Sequence, residues 1–110
     1  MIELPDTFEI IEGDTLPLIT GTLMEDDGVT PVDIAGFDIK LHIGYDEPLV
    51  KTAVIPLGTD GAFSFPWLAG DLLPGLWPAE VQITSPSGIL TLQKNAQGNR
   101  FKIKIHPQGA

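Results

Sequence analysis

The sequence predicts an all-β protein, an antiparallel β-sandwich of about seven to eight strands. Three observations support this fold class. Apolar and polar residues alternate with a period of two in several segments, 12 glycines and 10 prolines lie mostly between those segments, and almost no helical periodicity intervenes. Short strands that follow one another every 8–12 residues or so, with turn residues between them, are typical of a sandwich or barrel and not of an α/β fold.

Two segments show the alternation most clearly. In GFDIKLHIGY (36–45), the apolar residues fall on one face, and Asp38, Lys40 and His42 fall on the other. RFKIKIH (100–106) repeats the pattern, with two lysines and a histidine opposite three apolar residues. Each segment is therefore predicted to be a strand with one face on a core and one face in water.

Six further segments complete the predicted strands. They are FEII (8–11), LPLITGTLM (16–24), LVKTAVIP (49–56), AFSFPW (62–67), WPAEVQIT (77–84) and GILTLQ (88–93). Because Pro78 lacks an N–H, we expect its strand to be an edge at this point or to carry a bulge. The sandwich is predicted to span residues 8–106, between an N-terminal arm at 1–7 and a C-terminal tail at 107–110.

The net charge of −9 is unevenly distributed. Residues 1–92 contain all 15 acidic residues and two lysines, for −13, whereas residues 93–110 contain four cations and no acid, for +4. The mostly acidic body disfavours binding to nucleic acid, which is a polyanion. The four cations, Lys94, Arg100, Lys102 and Lys104, form a candidate interface. They either pair with an acidic strand of the same domain or dock onto the acidic face of a neighbouring subunit.

Composition also bears on the cellular compartment. The apolar runs are a few residues long, far short of the roughly 20 residues that span a bilayer, so we expect no membrane contact. The N-terminal sequence MIELPD lacks the basic start and apolar stretch of a signal peptide. The chain has no cysteine, which excludes a disulfide framework and a thiolate metal site. We expect synthesis in the cytoplasm.

The segment MEDDG (24–28) brings three carboxylates together before a glycine. A calcium loop of the EF-hand type needs oxygen ligands at alternate positions, which the following VTPV does not supply. Asp27-Gly28 between two strands is instead typical of a tight hairpin turn, because both residues accept positive φ. Asp33 adds one carboxylate nearby, which leaves a weak surface calcium site as the alternative. We predict a turn.

No residue pattern indicates catalysis or a resident cofactor. His42 and His106 lie beside lysines on polar strand faces, where we expect solvated side chains and no zinc site, since zinc needs three or four converging ligands. Ser64 lies within a predicted strand without the neighbouring base that a nucleophile needs. Gly58-x-x-Gly61 is a second hairpin and not a phosphate loop. We therefore predict a protein that is not an enzyme.

The two tryptophans are predicted to differ in role. Trp77 shares a strand face with apolar residues and is expected to pack against the core. Trp67 follows Pro66 at the end of a strand, and we include it in the candidate interface. With Tyr45 it also forms the basis of an alternative, a sugar-stacking platform of the kind found in carbohydrate-binding modules.

The order of turn motifs resembles a known family. EGDT (12–15), DDGVTPVDIAG (26–36), DGAFSF (60–65), LLPGLWPAEV (72–81) and SPSG (85–88) follow one another as in the immunoglobulin-like domain at the N-terminus of phage upper-baseplate and related tail proteins. The resemblance spans residues 8–105. Ile34-Ala35 replaces the usual Leu-Thr of the family, and Pro78 follows the aromatic residue of the fourth motif.

The resemblance implies an immunoglobulin-like sandwich that serves as a structural module of a phage virion, in the tail or baseplate. Its partners would be other virion proteins or further copies of itself, in a trimer or ring, and it would need neither nucleic acid nor membrane. A capsid decoration (cement) protein is the nearest alternative, because such proteins are also small and rich in β-structure. The carbohydrate-binding module is the third hypothesis.

Overall fold

A computed structural model describes residues 2–14, 19–44, 49–66, 73–95 and 97–107. These residues form nine strands and no helix. The strands are β1 (Ile2–Glu3), β2 (Thr7–Ile11), β3 (Ile19–Leu23), β4 (Asp38–Ile43), β5 (Leu49–Thr52), β6 (Ala62–Phe65), β7 (Gly75–Ser85), β8 (Gly88–Leu92) and β9 (Lys102–His106). Nothing in the described ranges is a helix of the length and apolarity needed to cross a membrane.

The strands form two sheets. One has three strands in the order β1-β3-β6, and the other runs β2-β9-β7-β4-β5, with β8 also paired to β7. All pairs are antiparallel except β2 and β9, which run parallel from Thr7↔Lys102 to Ile11↔His106. After β1 in the first sheet, the chain crosses to the second sheet. There β2 lies alongside β9 and runs in the same direction. The predicted all-β sandwich is confirmed, with this parallel pair as its one departure from antiparallel order among the described strands.

The core consists of the facing apolar surfaces of the two sheets. In β4 the predicted alternation is confirmed, since Ile39, Leu41 and Ile43 are each 1% exposed. Other buried core residues are Ile2, Leu4, Phe8, Ile10, Ile19, Leu23, Ile34, Phe63, Phe65, Ala79, Val81, Ile83, Phe101, Ile103 and Ile105. Burial of a side chain of this size stabilises the fold by about 1.5–3 kcal/mol, which is why strands with this pattern can be recognised from the sequence.

The segment that the sequence analysis set apart as an N-terminal arm contributes to this core. Residues 2 and 3 form β1, with Ile2 opposite Leu23 of β3, and Ile2 and Leu4 are 1% and 7% exposed. Glu3, between them, points outward and is exposed. The same period-two pattern is present here, but three residues are too few for the alternation to predict a strand.

Pro78 does not lie at an edge of the sheet, so the edge that we expected as one of two alternatives is wrong. β7 has β4 on one side and, on the other, β9 over residues 75–78 and then β8 over residues 81–85. The Pro78 carbonyl accepts a hydrogen bond from Gly44 N–H at 2.9 Å, so the backbone groups of Pro78 face β4. β4 ends at Ile43, one residue before Gly44. The missing N–H of Pro78 therefore falls just beyond the end of that ladder.

The second predicted turn, at Gly58–Gly61, is confirmed. The Gly61 N–H donates to the Gly58 carbonyl at 3.2 Å, and Gly61 has a φ of 71°. A Cβ at this position would overlap the carbonyl oxygen of Leu23, so only glycine fits. The turn also orders a neighbouring loop, because the Gly58 carbonyl accepts the N–H of Ile34 at 2.9 Å.

Candidate functional site

The four predicted interface cations lie along one side of the larger sheet. Lys102 and Lys104 are on the exposed face of β9, and Lys94 and Arg100 face each other across an isolated antiparallel bridge just before it. We call Lys94, Arg100, Lys102 and Lys104 the basic strip. All four residues are exposed.

A small hairpin between β8 and β9 holds the first half of the basic strip in place. At its tip, Asn95 Oδ1 accepts the N–H groups of Gln97 and Asn99 at 3.1 and 3.0 Å, and Asn95 Nδ2 donates to the Leu4 carbonyl at 3.3 Å. At its base, Phe101 N–H donates to the Gln93 carbonyl at 3.1 Å, and the Phe101 side chain is buried in the core. Lys94 and Arg100 are thus attached to an anchored turn.

The basic strip makes no ion pair with any described residue. The pairs present in the described ranges are Lys40–Asp38 at 3.3 Å and His106–Glu9 at 2.9 Å. Glu9 of β2 lies opposite Lys104 in the β2–β9 register, so the basic strand does pair with an acid-bearing strand of the same domain through its backbone. The carboxylate of Glu9, however, contacts His106 Nε2 and not Lys104. The lysine charges of β9 therefore remain available at the surface.

Apolar surface lies next to these charges. Leu76 is 61% exposed and lies opposite Lys104 in the β7–β9 register, and Pro78 lies opposite Lys102. Both residues line a surface depression of about 320 Å³ together with Arg100 and Lys102. Arginine is more frequent in protein interfaces than on the rest of the protein surface, and the core of an interface is apolar.

The MEDDG segment lies in a turn, as predicted, but the turn is wider than a two-residue Asp-Gly hairpin, because Glu25 and Thr30 close it and Asp27 does not have a positive φ. Met24 and Pro31 form an antiparallel bridge, Glu25 N–H donates to the Thr30 carbonyl at 2.8 Å, and Gly28 has a φ of 73°. The carboxylate of Asp27 closes the turn. Its Oδ1 accepts the N–H groups of Val29 and Thr30 at 2.9 and 2.8 Å, and its Oδ2 accepts the Thr30 hydroxyl.

These hydrogen bonds stabilise the ionised form of Asp27 and lower its pKa to about 2, with the Thr30 hydroxyl as the largest cause. Both oxygens are thus used within the loop. Asp33, the other carboxylate considered for calcium, accepts the Ala35 N–H at 3.0 Å. No group of three or more acidic, histidine or cysteine side chains that could hold a metal ion occurs in the described part of the chain.

The two histidines differ from each other. His106 is 40% exposed at its side chain and contacts Glu9. His42 is half-buried, and its Nε2 is shielded from solvent and has no hydrogen-bond partner among the described residues, so the expectation of a solvated side chain is wrong for His42. The reason is its position: the hairpin after β8 brings Gln93 and Arg100 to the same pocket, of about 230 Å³, that His42 and Glu80 line.

Trp77 is half-buried and packs against the core, as predicted, and its Nε1–H donates to the Leu73 carbonyl at 3.0 Å. Trp67 and Tyr45 lie outside the described residues, so the structure places neither the predicted interface tryptophan nor the sugar-stacking platform.

An open depression of about 650 Å³ lies on the smaller sheet. Among the described residues that line it, Glu3 is the one ionisable residue, and Thr20, Thr22 and Ser64 supply hydroxyl groups. Ser64 exchanges both backbone hydrogen bonds with Val54, at 2.7 and 3.0 Å, so it is held as a strand residue, in agreement with its prediction.

One feature of the surface was missed by the sequence analysis, although its strand was predicted. β8 is exposed over its first four residues, and Ile89 and Leu90 are 69% and 54% exposed. The available signal was compositional: GILTLQ contains neither a charged residue nor a proline. Such a run is normal in a buried strand, and its significance comes from the exposed position that only the structure shows.

Comparisons with known proteins establish the fold alone. No protein-family model matches the sequence, and no curated protein matches it. The structure is similar to the crystal structure of CopC from Methylosinus trichosporium OB3b, with a TM-score of 0.55 and 13% sequence identity, covering 100% of this chain and 98% of that chain. CopC is also a β-sandwich, and at this identity the similarity concerns the architecture of the chain.

Proposed function

We propose that this protein is a structural module of a phage virion, in the tail or baseplate, that acts through contacts with other virion proteins or further copies of itself. The observation that carries the proposal is the basic strip, four exposed cations without an ion pair to any described residue, next to exposed Leu76 on a sandwich scaffold. The order of turn motifs, which resembles the immunoglobulin-like domains of phage tail proteins, supplies the virion context.

The charge distribution indicates what the basic strip would bind. The chain carries −13 over residues 1–92, and the acidic side chains include the exposed Glu25, Asp26 and Asp27 of the first turn. A basic patch on an otherwise acidic protein attracts an acidic surface and orients its approach. The acidic body of a neighbouring copy fits this description, and so does an acidic face of another virion protein. A contact between two different surfaces of this kind is head-to-tail and builds rings when it closes.

The proposal implies a protein made in the host cytoplasm and incorporated into the virion, where it performs no catalysis and needs no cofactor. Its function would be to hold neighbouring proteins at a fixed spacing. The paired sheets and the tight turns at Gly28 and Gly61 support such a role, because they limit the backbone motion of the described part of the domain.

The test is capture of purified phage tails and, separately, of purified capsids by the immobilised protein. We expect the wild type to retain tails, and Lys102→Glu with Lys104→Glu to reduce the association rate by about tenfold or more at low salt, because the strip then repels an acidic partner. Lys40→Glu with Lys51→Glu makes the same change of net charge on β4 and β5 and is the control for overall charge, although it also breaks the Lys40–Asp38 pair. Circular dichroism checks that both variants fold.

The alternatives give different results. Retention of capsids and not of tails would favour a capsid decoration protein. Retention of neither, with a change of tryptophan fluorescence on titration with glycans, would favour the carbohydrate-binding module. Equal retention of tails by the strip variant and the control variant would contradict a charge-led interface.

A further inference from the structure

β8 leaves one edge of the larger sheet open. On the side of β7 opposite β4, β9 pairs with residues 75–78 and β8 with residues 81–85. β2 covers the outer edge of β9 along its whole length. Among the described residues, no strand pairs with the outer edge of β8. Its outward N–H and C=O groups are therefore free to pair with another strand.

The hairpin geometry identifies these outward groups. A two-residue turn joins β7 to β8, with Ser85 opposite Gly88, and in such a hairpin the residues next to the turn form a hydrogen-bonded pair. Pairing then alternates, so Leu90 and Leu92 direct their backbone groups to β7, and Ile89 and Thr91 direct theirs outward.

Two hydrogen bonds elsewhere agree with this assignment of inward-facing and outward-facing backbone groups. Gln93, the next residue in the outward series, accepts the Phe101 N–H at its carbonyl. On β7, the odd-numbered residues should face β8 and β9, and Ala79 N–H does donate to the Phe101 carbonyl at 3.2 Å.

The other described edges carry features that discourage pairing with a second chain. A charged residue lies within β1, β2 and β5, at Glu3, Glu9 and Lys51 respectively. β6 is bridged on its outer side by Val54 and is followed by Pro66. β8 has no comparable protection, because the whole segment 85–93 is uncharged and its one proline lies in the turn. Charges and prolines of this kind are what natural sheets use to prevent edge-to-edge association.

We infer that β8 pairs antiparallel with β8 of a second copy of this chain, across a two-fold axis at Leu90. In this register Ile89 faces Thr91 of the second copy, so the outward N–H and C=O groups of each strand meet those of the other. Leu90 meets its own equivalent at a position without backbone hydrogen bonds, where side chains lie closest. A charge at the axis would meet itself, so an uncharged strand is what a self-pairing edge requires.

The side chains of β8 also suit this contact. Leu90 lies on the inner face of the larger sheet, opposite Ile83, but remains 54% exposed. It lines an open groove of about 270 Å³ between the sheets with Leu23, Phe37 and Ile83. Pairing of two copies brings both grooves to the axis, where Leu90 of each copy covers apolar surface that is in contact with water in the monomer.

The strength of the contact follows from its size and charge. A five-residue edge gives an interface at the small end of the known range, below about 1,200 Å² in total, so we expect a weak and concentration-dependent dimer. Each copy carries −9, and salt that screens this repulsion should strengthen the dimer because the edge itself is uncharged. As a route to virion assembly the contact rests on the proposed function, whereas the pairing itself is tested on the protein alone.

The absence of cysteine allows a direct test of the register. Residues opposite each other without backbone hydrogen bonds have Cα atoms about 4.5 Å apart, within the range that a disulfide spans. Leu90→Cys should therefore give a disulfide-linked dimer on mild oxidation. Ile89→Cys, one residue along the same strand, and Val50→Cys, on the edge strand β5, are the controls and should cross-link at least tenfold more slowly.

A pair of charge variants tests the two-fold axis by sedimentation equilibrium. Leu90→Lys and Leu90→Glu should each be monomeric at concentrations where the wild type dimerises, and an equimolar mixture should recover a one-to-one dimer. Cross-linking that is equal at all three cysteine positions, or a mixture that remains monomeric, would overturn the inference. A wild type that is monomeric but still captures phage tails would also overturn the pairing through β8, and would leave the proposed function intact. A wild type that dimerises but captures nothing would support the pairing and contradict the proposed function.

Discussion

β8 and β9 lie on the same side of β7 and have five residues each, yet β9 is a core strand and β8 is a surface strand. In β9, Ile103 and Ile105 are each 3% exposed, because β2 covers its edge and the smaller sheet covers its inner face. In β8, Ile89 and Leu90 are mostly exposed. The difference shows that strand formation follows from local sequence, whereas burial depends on which other strands reach that part of the sheet.

The two strands also differ in how their surfaces would contact a partner. β9 presents lysines that alternate with buried isoleucines, so it acts through charge and without exposing its backbone. β8 presents a free backbone edge and no charge. A contact through the β9 lysines should weaken with salt, because salt screens its attraction to an acidic partner. A contact through β8 should strengthen with salt, because salt screens the overall repulsion between two acidic chains. The two proposed contacts thus use separate surfaces of one domain and can be tested separately.

The largest predicted effect is on stability and concerns the buried side chains. Ile103→Ala leaves a cavity in the core and should lower the free energy of unfolding by about 2–5 kcal/mol. Ile89→Ala, at a position that is 69% exposed, should change the free energy of unfolding of the monomer by no more than about 0.5 kcal/mol. Urea unfolding at low protein concentration measures both. Similar losses in the two variants would mean that β8 is covered in the monomer.

Proline substitutions compare the backbones of the two strands. Thr91→Pro removes an N–H that faces outward, and it should lower the free energy of unfolding by less than about 1 kcal/mol while abolishing the dimer. Lys104→Pro removes an N–H from a strand with a neighbour on each side and should cost about 2 kcal/mol or more. Thermal unfolding gives the stabilities. A Thr91→Pro variant as unstable as Lys104→Pro would contradict the assignment of inward-facing and outward-facing backbone groups in β8.

A smaller effect concerns the acidic turn, a surface of the kind that the basic strip is proposed to contact. The pKa of Asp27 should be about 2 in a pH titration followed by NMR, and Thr30→Val should raise it toward 3.8. The depressed pKa means that this carboxylate stabilises the fold above pH 3.8, and that this contribution is lost as the pH falls toward 2. A pKa of Asp27 that does not respond to Thr30→Val would show that the hydroxyl is not its cause.

Much of the fold was predictable because local patterns carry it. The alternation in residues 36–45 and 100–106 predicted β4 and β9, and Gly28 and Gly61 lie in turns as expected. The parallel pairing of β2 with β9 was not predictable, because residues about 95 positions apart in the chain share no local signal. The position of Pro78 in the sheet was predicted wrongly for a related reason. The missing N–H of Pro78 would disrupt pairing only if β4 continued past Ile43, and the end of β4 cannot be read from the sequence around Pro78.

The candidate site was predictable in composition and less so in arrangement. The excess of cations after residue 92 identified the basic strip, but only the structure shows that Glu9 contacts His106 and leaves Lys104 unpaired among the described residues. The open edge of β8 had no signal in the sequence beyond a lack of charge. It depends on β2 beginning at Thr7, opposite Lys102, so that β2 does not extend alongside β8, which is a property of the packed sheet.

The measurement that tests the account most directly is the native mass of the wild-type protein by sedimentation equilibrium, across protein concentration and at salt concentrations of about 0.01 and 1 M, where the screening lengths are about 30 and 3 Å. The account predicts a monomer that dimerises with rising concentration, and more readily at high salt. A monomer under every condition would contradict self-association through β8. A dimer that dissociates with salt would also contradict it and would place the contact at the basic strip.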